Sequence, residues 1–473
     1  MVFNSLSFAL FFAVVLAIHH LPIPWRARKL NLLGASYLFY MAWNPPFVLL
    51  LWISTLVDWV AARRIAGHSR KGRRRAWLAL SLAVNLGLLA FFKYSDFLVS
   101  NTMALLAGFG IDYAPAAPDI ILPLGISFYT FQTLSYSLDV YRGQERPAGS
   151  FLDYALYVTF FPQLVAGPIV RSGVFLPQCE SPRRADSQQW TVGLSLLSVG
   201  LFQKIVLADD LLAPSAEALF DGSGPPDAIS AWIGTLAFSG QIFCDFAGYS
   251  SCALGAASCL GFRIPANFRS PYAAVGFSDF WRRWHVSLSS WLRDYLYISL
   301  GGNRAGIART YANLMITMLV GGLWHGASWT FVAWGGLHGA YLTAERWLRG
   351  RVGGLPQRWI VQVSVGLFTF AVVTVTWVFF RAPDFTRAFQ VLAALFGRTA
   401  EQATRQLPPN ALDPLAVLAV VVSLVTVHWL QRDTPLFERF AVPWWIESVG
   451  IAAIWLAIVM TPGTDRAFLY FQF

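Results

Sequence analysis

Residues 310–348 read TYANLMITMLVGGLWHGASWTFVAWGGLHGAYLTAERWL, an apolar stretch with no Asp, Glu, Lys or Arg before Glu345. A helix needs about 20 apolar residues to cross the hydrocarbon core of a bilayer, so we predict two helices or a re-entrant pair here. One of the two histidines in the stretch, His325, is flanked by glycines. A titratable imidazole is costly at membrane depth, and it therefore marks a candidate functional site that faces a bundle interior or an aqueous cavity.

The composition of the whole chain agrees with this stretch. Of 473 residues, 56% are hydrophobic and 13% charged, with 20 Trp and 38 Phe. Soluble globular proteins carry about 25% charged residues, so the composition predicts an all-α polytopic membrane protein. The net charge of +10 does not indicate nucleic-acid binding, because the basic residues lie in short loops between apolar segments. That pattern orients a membrane protein and attracts anionic headgroups.

Apolar segments recur from end to end and predict about 11 to 13 spans in one membrane domain, 1–473. Residues 228–260 are also long enough for two helices or a re-entrant pair. We expect N-terminal spans in 1–118, a motif-bearing core in 119–348 and C-terminal spans in 349–473. The segments lie near residues 2–20, 30–43, 46–62, 76–95, 119–138, 151–169, 190–208, 228–260, 310–348, 358–380, 412–430 and 444–461.

Smaller features support a retained, oriented membrane chain. The first segment has the length of a signal peptide but lacks a basic n-region and a cleavage site, so we expect a retained helix. Basic clusters within 26–29 and 63–75 flank a hairpin that turns at Pro45-Pro46. Both are cytoplasmic if that turn and the N-terminus lie outside.

The cysteines have neither CxxC nor metal-type spacing, which predicts small apolar packing residues; they are Cys179, Cys244, Cys252 and Cys259.

The segment 262–309 differs from its surroundings because it is rich in arginine. Ser278 is a candidate N-cap, with Asp279 in the first helical turn. Beyond it, one set of aromatic and apolar residues recurs at alternating spacings of three and four, which places the set on one helical face. A second, polar set lies on the adjacent face. The first set is Trp281, Trp284, Leu288, Trp291 and Tyr295, and the second is Arg282, His285, Ser289 and Arg293. We predict an amphipathic helix in the membrane interface on the cytoplasmic face. A helix that merely rests on the membrane would not explain a histidine at the border of the two faces.

Several long motifs resemble the membrane-bound O-acyltransferase (MBOAT) family, specifically its bacterial branch of alginate O-acetyltransferases. The motif FWRRWHVSLSSWLRDYLY (Phe280–Tyr297), followed by Gly301-Gly302-Asn303-Arg304, carries much of the resemblance. The others are GISFYTFQTLSYSLDVYRG (Gly125–Gly143), FFPQLVAGPIVR (Phe160–Arg171), GLFQKIVLADD (Gly200–Asp210), LWHGASWTFVAWGGLHG (Leu323–Gly339) and the ending Tyr470-Phe471-Gln472-Phe473.

The resemblance implies an MBOAT-type ring of helices around a central pore, with interfacial and re-entrant helices. It implies that the acyl donor enters from the cytoplasm. The family's near-invariant histidine maps onto His325 within the pore, and its second histidine maps onto His285 near the cytoplasmic mouth. The resemblance also implies that extracytoplasmic acetyltransferase partner proteins receive the acyl group within a polysaccharide secretion machinery.

The chemistry of acyl transfer to a hydroxyl suits His325 as a catalytic residue. A neutral imidazole can accept the hydroxyl proton as general base, and such catalysis contributes about 10²–10⁴-fold. Burial keeps the ring neutral. The adjacent Gly321, Gly322 and Gly326 leave room for a substrate or a neighbouring helix. A histidine hydrogen-bonded between helices is the structural alternative. His285 fits either donor binding and gating or direct catalysis.

Other residues are candidates for substrate binding. Arginine pairs with phosphate in bidentate geometry, so we expect the phosphates of acetyl-CoA to meet Arg282, Arg283 or Arg293. Asp245 is expected to pair with Lys204 or an arginine, because unpaired carboxylates are rare inside membranes. His338 lies about 220° round a continuous helix from His325 and is interpreted as packing. The remaining candidates are Trp284, Trp291, Asn303, Arg304 and Trp324.

The sequence thus predicts a multi-pass acyltransferase of the bacterial inner membrane. It would move acetyl groups from acetyl-CoA for O-acetylation of an exported polysaccharide, alginate-like or cellulose-like. We expect contact with membrane lipid, and no bound cofactor, catalytic metal or nucleic acid, since the corresponding motifs are missing from the sequence. Three alternatives remain: a D-alanyl or other acyl transferase to a cell-wall polymer, a conduit or transporter without its own chemistry, and a scaffold. A transporter would show repeat symmetry and intramembrane charged pairs.

Overall fold

The computed structural model describes residues 1–113, 115, 120–165, 167–354, 356, 358–398, 403–407, 414–434, 443–462 and 466–469. Within these ranges the regular structure is helical and no β-strand occurs. This confirms the predicted all-α class. The closing motif Tyr470-Phe471-Gln472-Phe473 and Ala166 of the Phe160–Arg171 motif lie outside the described residues.

The helices follow one another along the chain. They are α1 (Leu6–His20), α2 (Trp25–Met41), α3 (Val48–Gly67), α4 (Lys71–Gly108), α5 (Ile126–Arg142), α6 (Phe151–Thr159), α7 (Phe161–Leu164), α8 (Ser172–Cys179), α9 (Ser187–Phe202), α10 (Ala213–Phe220), α11 (Ala228–Cys259), α12 (Phe277–Arg283), α13 (Val286–Trp291), α14 (Ile307–His325), α15 (Trp329–Val352), α16 (Trp359–Arg381), α17 (Phe385–Leu395), α18 (Pro414–Leu430) and α19 (Trp444–Met460). π-Helical segments cover Gln203–Leu212 and Leu292–Tyr297, and 3-10 turns cover Pro45–Phe47 and Pro271–Ala273.

Four helical stretches among the described residues are long and apolar enough to cross a membrane: Pro45–Gly67, Lys71–Gly108, Ser187–Phe220 and Trp359–Arg381. Four shorter apolar helices, α1, α17, α18 and α19, accompany them. Some predicted spans are interrupted, since 151–169 divides into α6 and α7 with Pro162 at the start of α7. The total of 11 to 13 spans therefore remains a prediction.

The two longest apolar stretches have different outcomes. Residues 310–348 form two helices, α14 and α15, as predicted. Residues 228–260 form one helix of 32 residues, α11, so the predicted pair is wrong there. Its glycines serve close packing instead of a break. A Cβ on Gly234 would lie 2.4 Å from Leu219 Cβ, and one on Gly248 would lie 2.7 Å from the carbonyl oxygen of Gly200.

The described residues group into two compact units, and one comprises Met1–Leu194 with Cys252–Pro265. Within it α3 packs against α4 and α5. The buried carboxylate of Asp58 joins these helices, because it accepts hydrogen bonds from Ser81, from Asn85 Nδ2 (2.7 Å) and from Ser137 Oγ (2.8 Å). These donors satisfy a carboxylate that would otherwise be costly to bury.

The second unit comprises Ser195–Ser251 with Ala266–Phe473. Its buried cluster is rich in large aromatic rings, including Trp284, Trp334 and Trp377. Both candidate histidines lie in this unit. The four cysteines of the chain are all described and buried, in agreement with the predicted packing role. The division of the chain after residues 118 and 348 remains a prediction.

Candidate active site

His325 is the last residue of α14, where the chain leaves helical geometry. Gly326 follows in extended conformation, and Ser328 caps the next helix by accepting a hydrogen bond from Thr330 N (3.3 Å). A Cβ on Gly326 would lie 2.1 Å from the ring of Phe331. Only glycine therefore allows this ring to close over the break, and the break places the imidazole at a helix end.

Two further glycines bring α14 and α15 into backbone contact. A Cβ on Gly322 would lie 2.2 Å from the carbonyl oxygen of Phe331, and one on Gly335 would lie 2.3 Å from that of Met318. The space beside His325 is thus taken by a neighbouring helix, which was one of the two expected uses of these glycines. The close crossing fixes the position of the helix end that carries His325.

Aromatic rings enclose the buried imidazole of His325. The ring centroids of Trp324, Trp334 and Phe380 lie 5.0, 5.1 and 5.3 Å from that of His325. They come from α14, α15 and α16, so three helices contribute to the enclosure. Such walls restrict water, which would compete with an acceptor for an activated acyl group.

His285 occupies a break between two short helices. Its backbone lies in the left-handed region, with φ 41° and ψ 55°, between α12 and α13. The predicted continuous amphipathic helix from Ser278 to Tyr295 is therefore wrong. Trp284 and Leu288, on its expected lipid face, are fully buried in protein. The expected N-cap is also displaced, since Gly276 precedes α12, whereas Asp279 lies in the first turn as predicted.

The break brings the two histidines together. The ring centroids of His285 and His325 lie 6.4 Å apart, and Trp324 contacts both. Phe246 of α11 covers the other side of His285 at 4.7 Å. The resemblance placed His285 near the cytoplasmic mouth and His325 within the pore; the structure brings the two rings together, and their depth in the membrane remains a prediction. A strained backbone at a non-glycine residue is typical of functional sites.

Burial keeps His285 neutral. The residue lies outside the candidate membrane-spanning helices and is fully buried. Desolvation penalises the imidazolium and lowers the pKa of His285 to about 3. The ring can therefore exchange hydrogen bonds near neutral pH but carries no charge that could attract a phosphate. This disfavours a donor-binding role through charge.

A cavity of about 530 Å³ lies beside α13 and α14 and is lined by four arginines, although neither histidine lines it. Two of the three arginines expected to meet phosphate, Arg282 and Arg293, line it. Arg269 and Arg346 line it too, and the sequence analysis did not single them out. Nothing in the spacing of residues 269 and 346 signals that the fold brings them together.

Arg283 points to a structural role instead. Its guanidinium donates to both carboxylate oxygens of Asp279 at 3.0 Å and to the carbonyl oxygen of Arg432 at 2.9 Å. It does not line the cavity. These contacts do not favour the phosphate contact that the sequence predicts for Arg283. The largely buried ion pair lies within α12, and the hydrogen bond to the Arg432 carbonyl ties this helix to the chain after α18.

The other candidate binding residues divide between the core and the surface. Trp284 is buried against Phe280 and Trp377. Trp291 is nearly buried and contacts Tyr295 at 5.0 Å. Asn303 and Arg304 are exposed and do not line the cavity. Of the predicted aromatic contacts, Trp324 is the one that the structure places against both histidines.

Asp245 forms the ion pair that the sequence predicts. Its carboxylate lies 2.6 Å from Lys204 Nζ, and Asp209 holds the same ammonium at 2.8 Å. Asp245 also accepts a hydrogen bond from Leu469 N at 2.8 Å. All three charged side chains are buried. These contacts indicate that Asp245 anchors the surrounding segments. Substrate binding by Asp245 remains a prediction.

Comparison with known proteins decides the family. The family model for MBOAT, the membrane-bound O-acyltransferase family, matches residues 145–382, which include both histidines and the arginine-lined cavity. The chain belongs to this family. It is thus a membrane-bound O-acyltransferase.

Relatives of this O-acyltransferase match along most of its length. A probable alginate O-acetylase AlgI of Azotobacter vinelandii is 42% identical over 401 residues, covering 84% of this chain and 78% of the relative. The corresponding protein of Pseudomonas putida is 39% identical, covering 94% and 89%. A peptidoglycan O-acetyltransferase of Helicobacter pylori is 37% identical, covering 78% and 74%.

Besides Arg269 and Arg346, three residues around the two histidines of this O-acyltransferase were missed by the sequence analysis. Trp334 and Phe380 complete the enclosure of His325, and Asn267 contacts His285. The first two lie in apolar segments where an enclosing ring cannot be distinguished from a packing ring. Asn267 lies in a Pro-rich loop, where a polar residue is unremarkable. His338 shares Trp334 with His325 but stacks on Phe280 and contacts Trp281 edge to face, consistent with the predicted packing role.

Proposed function

We propose that the protein is an O-acetyltransferase of the bacterial inner membrane that moves acetyl groups from cytoplasmic acetyl-CoA toward an exported polysaccharide. The observation that carries the proposal is the aromatic enclosure that holds His325 and His285 with ring centroids 6.4 Å apart. The names of the relatives support the acetyl group and a polysaccharide acceptor, alginate in two cases and peptidoglycan in the third. They favour acetyl over D-alanyl transfer.

The chemistry assigned to His325 is general-base catalysis. The acceptor hydroxyl attacks the thioester carbonyl while His325 takes its proton, so a C–O bond forms as the O–H bond breaks. Collapse of the tetrahedral intermediate breaks the C–S bond, and the imidazolium returns the proton to the departing thiolate. An imidazole that is neutral at rest suits both steps, because it accepts the proton in the first and, as imidazolium, donates it in the second. The surrounding rings reduce competing hydrolysis of the thioester.

The arginine-lined cavity supplies the donor site in this proposal. Arg282 and Arg293 lie on the segment that also carries His285, so phosphates bound there would bring the thioester toward the histidine pair. Guanidinium groups bind phosphate oxygens in bidentate fashion. The direct acceptor is either the polysaccharide or an extracytoplasmic acetyltransferase partner of the secretion machinery.

Phenylalanine substitutions at two buried histidines test the base. His325→Phe keeps a ring against Trp324, Trp334 and Phe380 but removes the base, so acetyl transfer should fall at least about 100-fold. The matched control is His338→Phe, because neither ring nitrogen of His338 has a hydrogen-bond partner in the described part of the chain. Transfer is measured in nanodiscs with radiolabelled acetyl-CoA.

Donor binding separates chemistry from affinity. Both His325→Phe and His285→Asn should bind a non-hydrolysable acetyl-CoA analogue like the wild type, since the two rings share one reaction centre. A stable His325→Phe variant that keeps at least about a tenth of wild-type transfer would remove His325 as principal base. Absence of analogue binding to the wild type would favour another donor.

A further inference from the structure

The buried side chain of Asn267 organises the break that carries His285. Its Oδ1 lies 3.2 Å from His285 Nδ1 and accepts hydrogen bonds from Ser287 Oγ (2.8 Å) and Ser287 N (3.3 Å). Its carbonyl oxygen accepts from Val286 N at 2.8 Å. The first N–H groups of a helix lack intrahelical partners, and Asn267 satisfies two of them at the start of α13.

This geometry fixes which nitrogen of His285 carries the proton. A backbone N–H can only donate, so the atom of Asn267 that faces Ser287 N must be the oxygen and not the amide nitrogen. That oxygen can only accept, and the facing Nδ1 of His285 must therefore be protonated. In a neutral imidazole the other nitrogen, Nε2, is then unprotonated and is an acceptor.

We propose that Asn267 is a positioning residue that holds His285 in the Nδ1-protonated tautomer, so that its Nε2 accepts a hydrogen bond from an O–H or N–H donor at the reaction centre beside His325. The ring centroids of the two histidines lie 6.4 Å apart, which places His285 in the same reaction centre as His325. His285 thus acts as a neutral acceptor that orients a reacting or bridging group. The functional part of this inference rests on the proposed acetyl transfer.

The charges around His285 leave its neutral form undisturbed. Titratable groups on the elements packed against it include His325 on α14 and Asp245 on α11, and Asp245 shares the Lys204 ammonium with Asp209. Arg269, two residues after Asn267, lines the neighbouring cavity. On its own segment, Arg283 pairs with Asp279, and Arg282 is exposed. A carboxylate placed at position 267 would therefore be a new charge directly against the ring.

Nitrogen-15 NMR of histidine-labelled protein tests the tautomer without donor or acceptor. The chain has seven histidines, and the His285 signal is identified by its loss in His285→Asn, a residue that also tolerates left-handed geometry. We expect the proton on Nδ1 in the wild type. A proton on Nε2 would overturn the proposal whether or not acetyl-CoA is the donor, whereas a wild type that fails to use acetyl-CoA would overturn the proposed function alone.

Asn267→Asp tests the consequence for catalysis. A carboxylate can accept the same hydrogen bonds, but its charge stabilises the imidazolium and raises the pKa of His285 by about one unit or more. Nε2 is then protonated at low pH. The acid limb of kcat should shift to higher pH by about one unit or more, with the KM for acetyl-CoA unchanged.

Ser287→Ala is the matched control, because it removes a hydrogen bond to the same oxygen without adding charge. Its acid limb should coincide with that of the wild type. Equal shifts in the two variants, or a wild-type acid limb in Asn267→Asp, would show that Asn267 only supports the fold. If Asn267→Asp does not fold, the NMR measurement on the wild type still decides the proposal.

Discussion

At the scale of single residues, the two histidines lie in the same aromatic enclosure but have different backbone settings. His325 ends a regular helix, whereas His285 occupies a left-handed position that most side chains avoid. The two neighbouring arginines, Arg282 and Arg283, also differ in their roles. Arg282 lines the cavity, and Arg283, next to it in sequence, is engaged by Asp279.

Alanine substitutions should separate these two arginines. Arg282→Ala should raise the KM for acetyl-CoA about tenfold with little change in kcat, because a phosphate contact present in both ground and transition state acts through KM. Arg283→Ala should instead lower the unfolding free energy by about 1–3 kcal/mol, because Asp279 loses its two hydrogen bonds from Arg283 and keeps the longer contact with Arg432 at 3.3 Å.

Steady-state kinetics and thermal unfolding in nanodiscs check this pair of variants. The exposed Arg309 offers a control, since Arg309→Ala changes the net charge equally and should alter neither quantity. If Arg283→Ala raised KM at unchanged unfolding temperature, Arg283 would return to the donor site.

Sequence reasoning identified residues whose chemistry is rare in their surroundings. His325 stood out as an imidazole in an apolar stretch, and the Lys204–Asp245 pair followed from the cost of an isolated charge. It could not identify Trp334 or Asn267, because a tryptophan among apolar residues and an asparagine in a loop are ordinary. Their roles arise only from which side chains the fold brings together.

At the scale of elements, the close crossing of α14 and α15 sets the position of the helix end at His325. Consecutive glycines on α15 face different surroundings there. A Cβ on Gly335 would lie 2.3 Å from the carbonyl oxygen of Met318, whereas one on Gly336 would lie 3.4 Å from the Leu319 side chain. One glycine is therefore required by backbone contact, and the other is not.

Alanine at these two positions gives a matched comparison. Gly335→Ala must push the helices apart, which should lower the unfolding free energy by about 1–3 kcal/mol and reduce transfer through displacement of His325. Gly336→Ala should be neutral or stabilising by up to about 1 kcal/mol, because alanine favours the helix. Unfolding in detergent and an acetyl-transfer assay measure the stability and the activity of each variant. If the two variants had equal stability and activity, the close contact of α14 and α15 at Gly335 would be contradicted.

The elements that sequence patterns misjudged were determined by tertiary contacts. No glycine or proline lies between Ser278 and Tyr295, and the spacing of the aromatic residues fits a continuous helix. The break at His285 is held by Asn267, 18 residues earlier, which local periodicity cannot reveal. Conversely, the length of 228–260 suggested an interruption, but the segment forms the single helix α11.

At the scale of the whole molecule, the orientation in the membrane decides which face meets the cytoplasmic donor. The basic residues 63–75 and the turn at Pro45-Pro46 lie at opposite ends of α3. The positive-inside rule predicts the first on the cytoplasmic face and the second outside. The chain is suited to a labelling test because its four native cysteines are buried.

Single cysteines at exposed positions should report this orientation. In intact spheroplasts, Ala42→Cys should react with a membrane-impermeant maleimide, whereas Arg73→Cys should react only after the membrane is permeabilised; both positions are exposed. The unmodified protein gives the background. The reverse pattern would place the basic residues outside and would move donor entry to the opposite face.

The left-handed backbone at His285 has a consequence in the genetic code. Histidine codons differ from those of asparagine and aspartate at the first base alone, and these three residues are the ones most often found in left-handed geometry outside glycine. A single nucleotide change can therefore remove the imidazole while the bend persists. At position 285, a single-nucleotide substitution can therefore abolish the function of the imidazole without unfolding the chain.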